Sequence, residues 1–278
     1  DGDILDIRLA FGEAWGNALS GMVTDDPMYI DTTGNAQSNG GGFSVETQTA
    51  NQPGFYSESS LQRVLYDLYD ATADGADNVA LGFTPIYNVM VGGEKNAIAY
   101  TSIFTFIKAL IDSNAASATD INAVAGMENM QSITDVYGST QTDNRSSNAN
   151  VLPLYTDLTV GATSGTVCSD GSLSSSNAGN RLSVYRFFKF NIATAGNYTI
   201  RVQRVSGVQP ANYTFNVSKG SPFTKNVLQG SNVMTDTQVE AGTLSAGDYV
   251  MEVYEDSLKG GATGSACYTV SVEVTPSP

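Results

Sequence analysis

Residues 185–202 read YRFFKFNIATAGNYTIRV, and this stretch decides the fold of the second half of the chain. Aromatic and β-branched residues alternate with polar ones on either side of the small break Ala193-Thr194-Ala195-Gly196, which is the period-two signal of half-buried strands. The pattern returns in ANYTFNVSKG (211–220), GDYVMEVYED (247–256) and ACYTVSVEV (266–274), with clusters of Gly, Pro, Asn and Ser between the runs. Short alternating strands punctuated by turns predict an antiparallel β-sandwich over 151–278.

Upstream the grammar changes. Residues 1–140 read as helices and loops, and the polar run GSTQTDNRSSNAN (138–150) between the halves marks a linker at 141–150. In LDIRLAFGEAWGNALSGMV (5–23), Leu9, Trp15, Leu19, Met22 and Val23 fall at helical spacing and predict one apolar face. Small residues (Gly12, Ala14, Gly16, Ala18, Gly21) lie between them and suggest close approach by another helix or backbone. Asp25-Asp26-Pro27 ends the helix, and the Gly/Asn/Ser/Gln-rich stretch 32–54 reads as a long surface loop. Further helices are expected at 57–70, 84–91, 100–112 and 119–129. The predicted fold class is therefore α + β multidomain, a mainly helical N-terminal domain followed by the sandwich.

Composition narrows the chemistry. The chain of 278 residues has a formal net charge of −15, which repels nucleic acid and anionic membranes and favours cations. No apolar run approaches the ~20 residues needed to span a bilayer. The opening DGDILDIRLA is acidic and mixed rather than basic then apolar, so no intact signal peptide is read there. The two cysteines, Cys168 and Cys267, lie in the second half and are expected to form one bridge across a loop of about 100 residues in an oxidising compartment. Histidine is absent, which excludes Ser-His-Asp and Cys-His machinery and a self-contained histidine-ligated zinc site.

Three places carry candidate chemistry. Glu13 and Asn17 are four apart, so both project from one helix face; a carboxylate there can ligate zinc, and an amide one turn on can orient a neighbouring ligand. Tyr56, just before the second helix, reads either as an oxyanion-stabilising hydroxyl or as a packing residue, with Glu58 as a charge favoured at a helix start. Asp70, Asp74, Asp77 and Asn78 crowd the loop DATADGADN (70–78), whose oxygen ligands around a glycine suit calcium, although the spacing is not that of an EF-hand.

Two resemblances add to this reading. RLAFGEAWGNALSGMVTDDPMY (8–29), with GFYSESSLQRVLYDLYDATADGADNVALGFTPIYNVM (54–90), resembles the segment that follows the HExxH helix in bacterial glutamate-zincin metallopeptidases. The resemblance implies that Glu13 is the third zinc ligand and that Asn17 stands where the group usually has Asp. It also implies that the two histidines and the water-activating Glu belong to an upstream part of the parent, whose substrate is a peptide or protein. YRFFKFNIATAGNYTIRV (185–202) and AGTLSAGDYVMEVYE (241–255) resemble the bacterial pre-peptidase C-terminal domain, a sandwich appended to secreted proteases. Together they imply the C-terminal part of a secreted bacterial zinc metallopeptidase, extracellular or periplasmic, inactive alone. The competing reading is a non-enzymatic extracellular module that binds carbohydrate or protein through the sandwich.

Overall fold

In the computed structural model, the alternation at 185–202 becomes two long strands that belong to different sheets. The structure describes residues 4–72, 75, 77–145, 148–173, 178–231 and 235–276. The chain divides into two compact units, Asp1–Glu94 with Thr101–Thr134, and Lys95–Tyr100 with Asp135–Pro278.

Among the described residues the first unit holds five α-helices and one hairpin: α1 (Ile7–Thr24), β1 (Met28–Thr33), β2 (Asn39–Ser44), α2 (Glu58–Asp67), α3 (Phe83–Val91), α4 (Ile103–Asp112) and α5 (Ala118–Met127). Asp6 caps α1 by accepting the Arg8 amide at 3.0 Å, and its carboxylate also pairs with the Arg8 side chain at 2.8 Å. At the other end Asp25 takes the left-handed conformation at φ 54° that stops a helix. The buried face is not the one predicted. Ile7, Ala10, Phe11, Ala14, Ala18, Gly21 and Met22 point inward, whereas Leu9, Trp15 and Leu19 are half-buried and Val23 is 67% exposed. The inward small residues let α2 approach: a Cβ on Gly21 would stand 2.9 Å from the ring of Tyr66.

The hairpin β1–β2 lies mostly within residues read as loop. Its strands pair antiparallel from Met28↔Ser44 to Thr33↔Asn39 and are largely exposed, and Gly40, Gly41 and Gly42 offer no side chain to alternate. Periodicity had nothing to report there.

The second unit is the sandwich. A five-stranded sheet runs in the order β3 (Tyr155–Asp157), β5 (Arg186–Ile192), β10 (Gly247–Glu255), β7 (Tyr213–Lys219), β8 (Thr224–Gly230). A four-stranded sheet runs β4 (Val167–Asp170), β11 (Ser265–Val274), β6 (Gly196–Gly207), β9 (Thr237–Leu244). The pairings are antiparallel except β3–β5, which is parallel. Phe188, Phe190, Ile192, Phe215, Val217, Met251 and Val253 from one sheet meet Tyr198, Ile200, Val202, Tyr268, Val270 and Val272 from the other. Each such buried side chain contributes roughly 1.5–3 kcal/mol of transfer free energy. A short helix, α6 (Asp256–Lys259), follows β10. The expected bridge is formed: Cys168 and Cys267 are direct cross-strand partners on β4 and β11.

Residues 141–150, read as a linker, lie inside this second unit. The buried Arg186 guanidinium donates to the carbonyls of Asn150, Val151 (3.1 Å) and Pro153 (2.8 Å), and Asn150 donates to Asp170 at 2.7 Å. Asn150, at the end of this polar run, is thus fixed by hydrogen bonds. Residues 95–100 belong to the same unit: the Tyr100 ring packs 5.3 Å from Phe187 and 5.6 Å from Phe223, and its hydroxyl donates to the Asn216 carbonyl.

Candidate functional site

Glu13 is exposed on α1, on the face opposite the buried stripe. Gly12 and Gly16 flank it, and a Cβ added to either would meet nothing within 4 Å. The small residues of α1 therefore split into two sets. Ala14, Ala18 and Gly21 face inward, and Gly12 and Gly16 leave the outer face bare beside the carboxylate.

One turn after Glu13, Asn17 is half-buried and held by α2. Its amide donates to Glu58 Oε1 at 2.8 Å and to Gln62 Oε1 at 3.0 Å, and Gln62 in turn donates to Gln48 Oε1 at 2.9 Å. Ser57 caps α2, which places Glu58 in its first turn, where the helix dipole favours a carboxylate. The sequence pattern marked positions 13 and 17; the partner at 58, 41 residues on, required the fold.

Tyr56 is a packing residue. Its side chain is fully buried, edge-on to Phe55 at 4.9 Å, with the hydroxyl donating to the Pro53 carbonyl at 3.0 Å. Burial removes the oxyanion-stabilising role. Of the carboxylates expected to gather calcium, Asp70 accepts the Thr72 amide at 3.2 Å, and the buried Asp77 accepts the Val79 amide at 2.8 Å. Both serve the turns of their own loop. Asp74 lies outside the described residues.

Zinc fits poorly to these residues alone. Among the described residues no three His, Cys, Asp or Glu side chains converge as metal ligands, and Glu13 supplies one oxygen donor to a site that wants three protein ligands or more. No catalytic step is assigned to zinc within this chain.

Glu94 and Glu128 are among the buried acids that sequence reading missed. Glu94 is 5% exposed, and burial pushes its carboxyl up to about 7 despite the Thr105 hydroxyl that donates to it at 2.7 Å. Ser102 and Thr105 form the capping box of α4, and that spacing was legible; the acid packed against it was not. Glu128 pairs with Arg63 at 3.1 Å and is also raised by burial.

The sandwich carries a concavity of its own, about 650 Å³, lined by Thr214, Asn216, Gln229, Tyr254, Asp256 and Lys259 among others. Its groups are pre-set: Asn216 donates to Glu252 at 2.7 Å and accepts from Gln229 at 2.9 Å, Thr214 donates to Asp256 at 3.0 Å, and Lys259 sits 4.5 Å over the Tyr254 ring.

No family model matches the sequence, and no curated protein matches it. Solved structures do resemble part of it. The pre-peptidase C-terminal domain of a collagenase from Bacillus anthracis is 17% identical, with 42% of this chain covering 93% of that one at a TM-score of 0.31. CorA, a surface-associated copper-binding protein of Methylomicrobium album, is 11% identical over 44% of this chain and 98% of that one, TM-score 0.32. A family 35 carbohydrate binding module from Clostridium thermocellum is 11% identical over 41% and 92%, TM-score 0.22. These scores are low, and the sandwich assignment rests on the sheet topology of this chain itself.

Proposed function

We propose that this chain is the C-terminal part of a secreted bacterial zinc metallopeptidase, in which Glu13 is the third protein ligand and the sandwich is an accessory domain. The observation that carries the reading is the arrangement on α1. A lone exposed carboxylate stands between Gly12 and Gly16, whose outer sides are bare, and Asn17 behind it is locked by Glu58 and Gln62. A helix bearing two histidines and a water-activating Glu can lie along such a bare face, close enough to share a metal with Glu13. Asn17 is then a positioning residue. It keeps the ligand turn of α1 fixed to α2. The disulfide fits an oxidising, extracellular or periplasmic setting, and among the described residues no helix is long and apolar enough to cross a membrane.

The test uses the parent polypeptide with its HExxH-bearing segment attached. It should hydrolyse casein, and Glu13→Gln should abolish that activity without altering the circular dichroism. Full hydrolysis by the Glu13→Gln protein would reject the assignment. A second reading, a carbohydrate-binding module, is favoured only by the sandwich concavity with its pre-set amides and the Tyr254 ring. Saturable binding of a neutral oligosaccharide that Asn216→Ala abolishes would support it.

A further inference from the structure

We propose that the first unit carries a recognition pocket for the basic side chain of a peptide, set between the C-terminal ends of α1 and α2. The concavity is about 690 Å³, and its lining includes Asp25, Glu46, Asp70, Tyr66 and Tyr69, with no lysine or arginine among the described lining residues. The proposal stands on this geometry and does not depend on Glu13.

Four observations converge. Asp25 caps α1, an 18-residue helix, and Asp70 follows shortly after α2; neither helix has a basic residue in its last turn. The partial negative charge at both C-termini is thus uncompensated by side chains and adds to the carboxylates. Tyr66 is 3% exposed, yet its hydroxyl has no hydrogen-bond partner among the described residues. That hydroxyl is pushed up to about 12, first by burial and then by Asp70, Glu46, Tyr69 and Asp25, all of which line the same concavity. A hydroxyl on this lining, surrounded by acids, suits a donor that brings positive charge.

The chemistry selects an organic cation. No three of the described carboxylates converge closely enough to coordinate a metal ion, and the volume exceeds what a bare ion would fill. The rings of Tyr66 and Tyr69, 5.5 Å apart and tilted by 55°, provide aromatic surface for the stem and charged head of a lysine or arginine. Tyr69 is already fixed, its hydroxyl donating to Asp25 Oδ1 at 2.7 Å. A formal charge of −15 on the whole chain draws such a ligand in.

The test is a titration of the 278-residue protein, labelled with carbon-13 in its tyrosine rings, with acetyl-arginine amide, acetyl-norleucine amide and calcium chloride. Tyr66→Phe and Tyr69→Phe assign the two signals. Arginine amide should move both signals saturably, while norleucine amide should leave them in place. Asp25→Asn combined with Asp70→Asn should weaken arginine binding about tenfold, the loss expected for one charged hydrogen bond. Asn tolerates the left-handed backbone at 25 and keeps an acceptor for Tyr69, so the fold is spared. Equal shifts with norleucine amide, or no saturable shift with arginine amide, would overturn the proposal. So would calcium saturating the two signals and excluding arginine amide, because the site would then be a metal site.

Discussion

Asn17 on α1 and Glu58 on α2 are joined by a 2.8 Å hydrogen bond in which the amide donates to the carboxylate. The amide on α1 is the donor, and the acid it meets sits on the neighbouring helix. The pairing fixes the turn of α1 that presents Glu13.

Replacement of Asn17 by Asp should therefore destabilise the first unit at neutral pH. Two carboxylates would face each other, and Gln62 would lose a donor. The expected cost is about 1–3 kcal/mol in urea denaturation at pH 7. Equal stability of both proteins at pH 7 would show that the contact contributes nothing.

Glu94 gives the first unit a pH dependence of definite sign. Its carboxyl moves from an ordinary 4.5 to about 7, so the folded state holds a proton that the unfolded state has released. The stabilising contribution is fully present below about 4.5 and is lost as pH rises through 7, by on the order of 3 kcal/mol. Glu94→Gln should be the more stable protein at pH 7.5 and should match the wild type near pH 4.5, measured by thermal melting across that range. A destabilised Glu94→Gln protein at pH 7.5 would contradict the assignment.

Reduction of the Cys168–Cys267 bridge, or its replacement by two alanines, should lower the stability of the sandwich. The bridge spans 99 residues, and releasing such a loop costs roughly 4–5 kcal/mol in the chain-entropy account. Calorimetry with and without reductant measures it; an unchanged sandwich transition would remove the bridge from the stability account.

Much of the fold was legible because inward apolar residues recur at every second position along strands such as β5, β6 and β11. Alternation at 186–192 put Phe188, Phe190 and Ile192 inward, as found. The same logic was silent for β1 and β2, whose residues face water on both sides, and misled on α1, where close packing selected small residues for the core and left Leu9 and Trp15 at its margin. Asn150 read as part of a linker because Arg186 and Asp170, which fix it, are distant in sequence. For the candidate site, helical spacing marked Glu13 and Asn17, but the clamp from Glu58 and Gln62, the burial of Tyr56 and the setting of the Tyr66 hydroxyl among acids arise from long-range packing.

Zinc stoichiometry of the parent protein, by mass spectrometry of exhaustively dialysed wild type and Glu13→Gln, addresses the main assignment most directly. One tightly held zinc in the wild type and its loss from the Glu13→Gln protein, with the fold intact, is the predicted result. Retention of zinc at full stoichiometry after that substitution would show that the carboxylate at position 13 is no ligand.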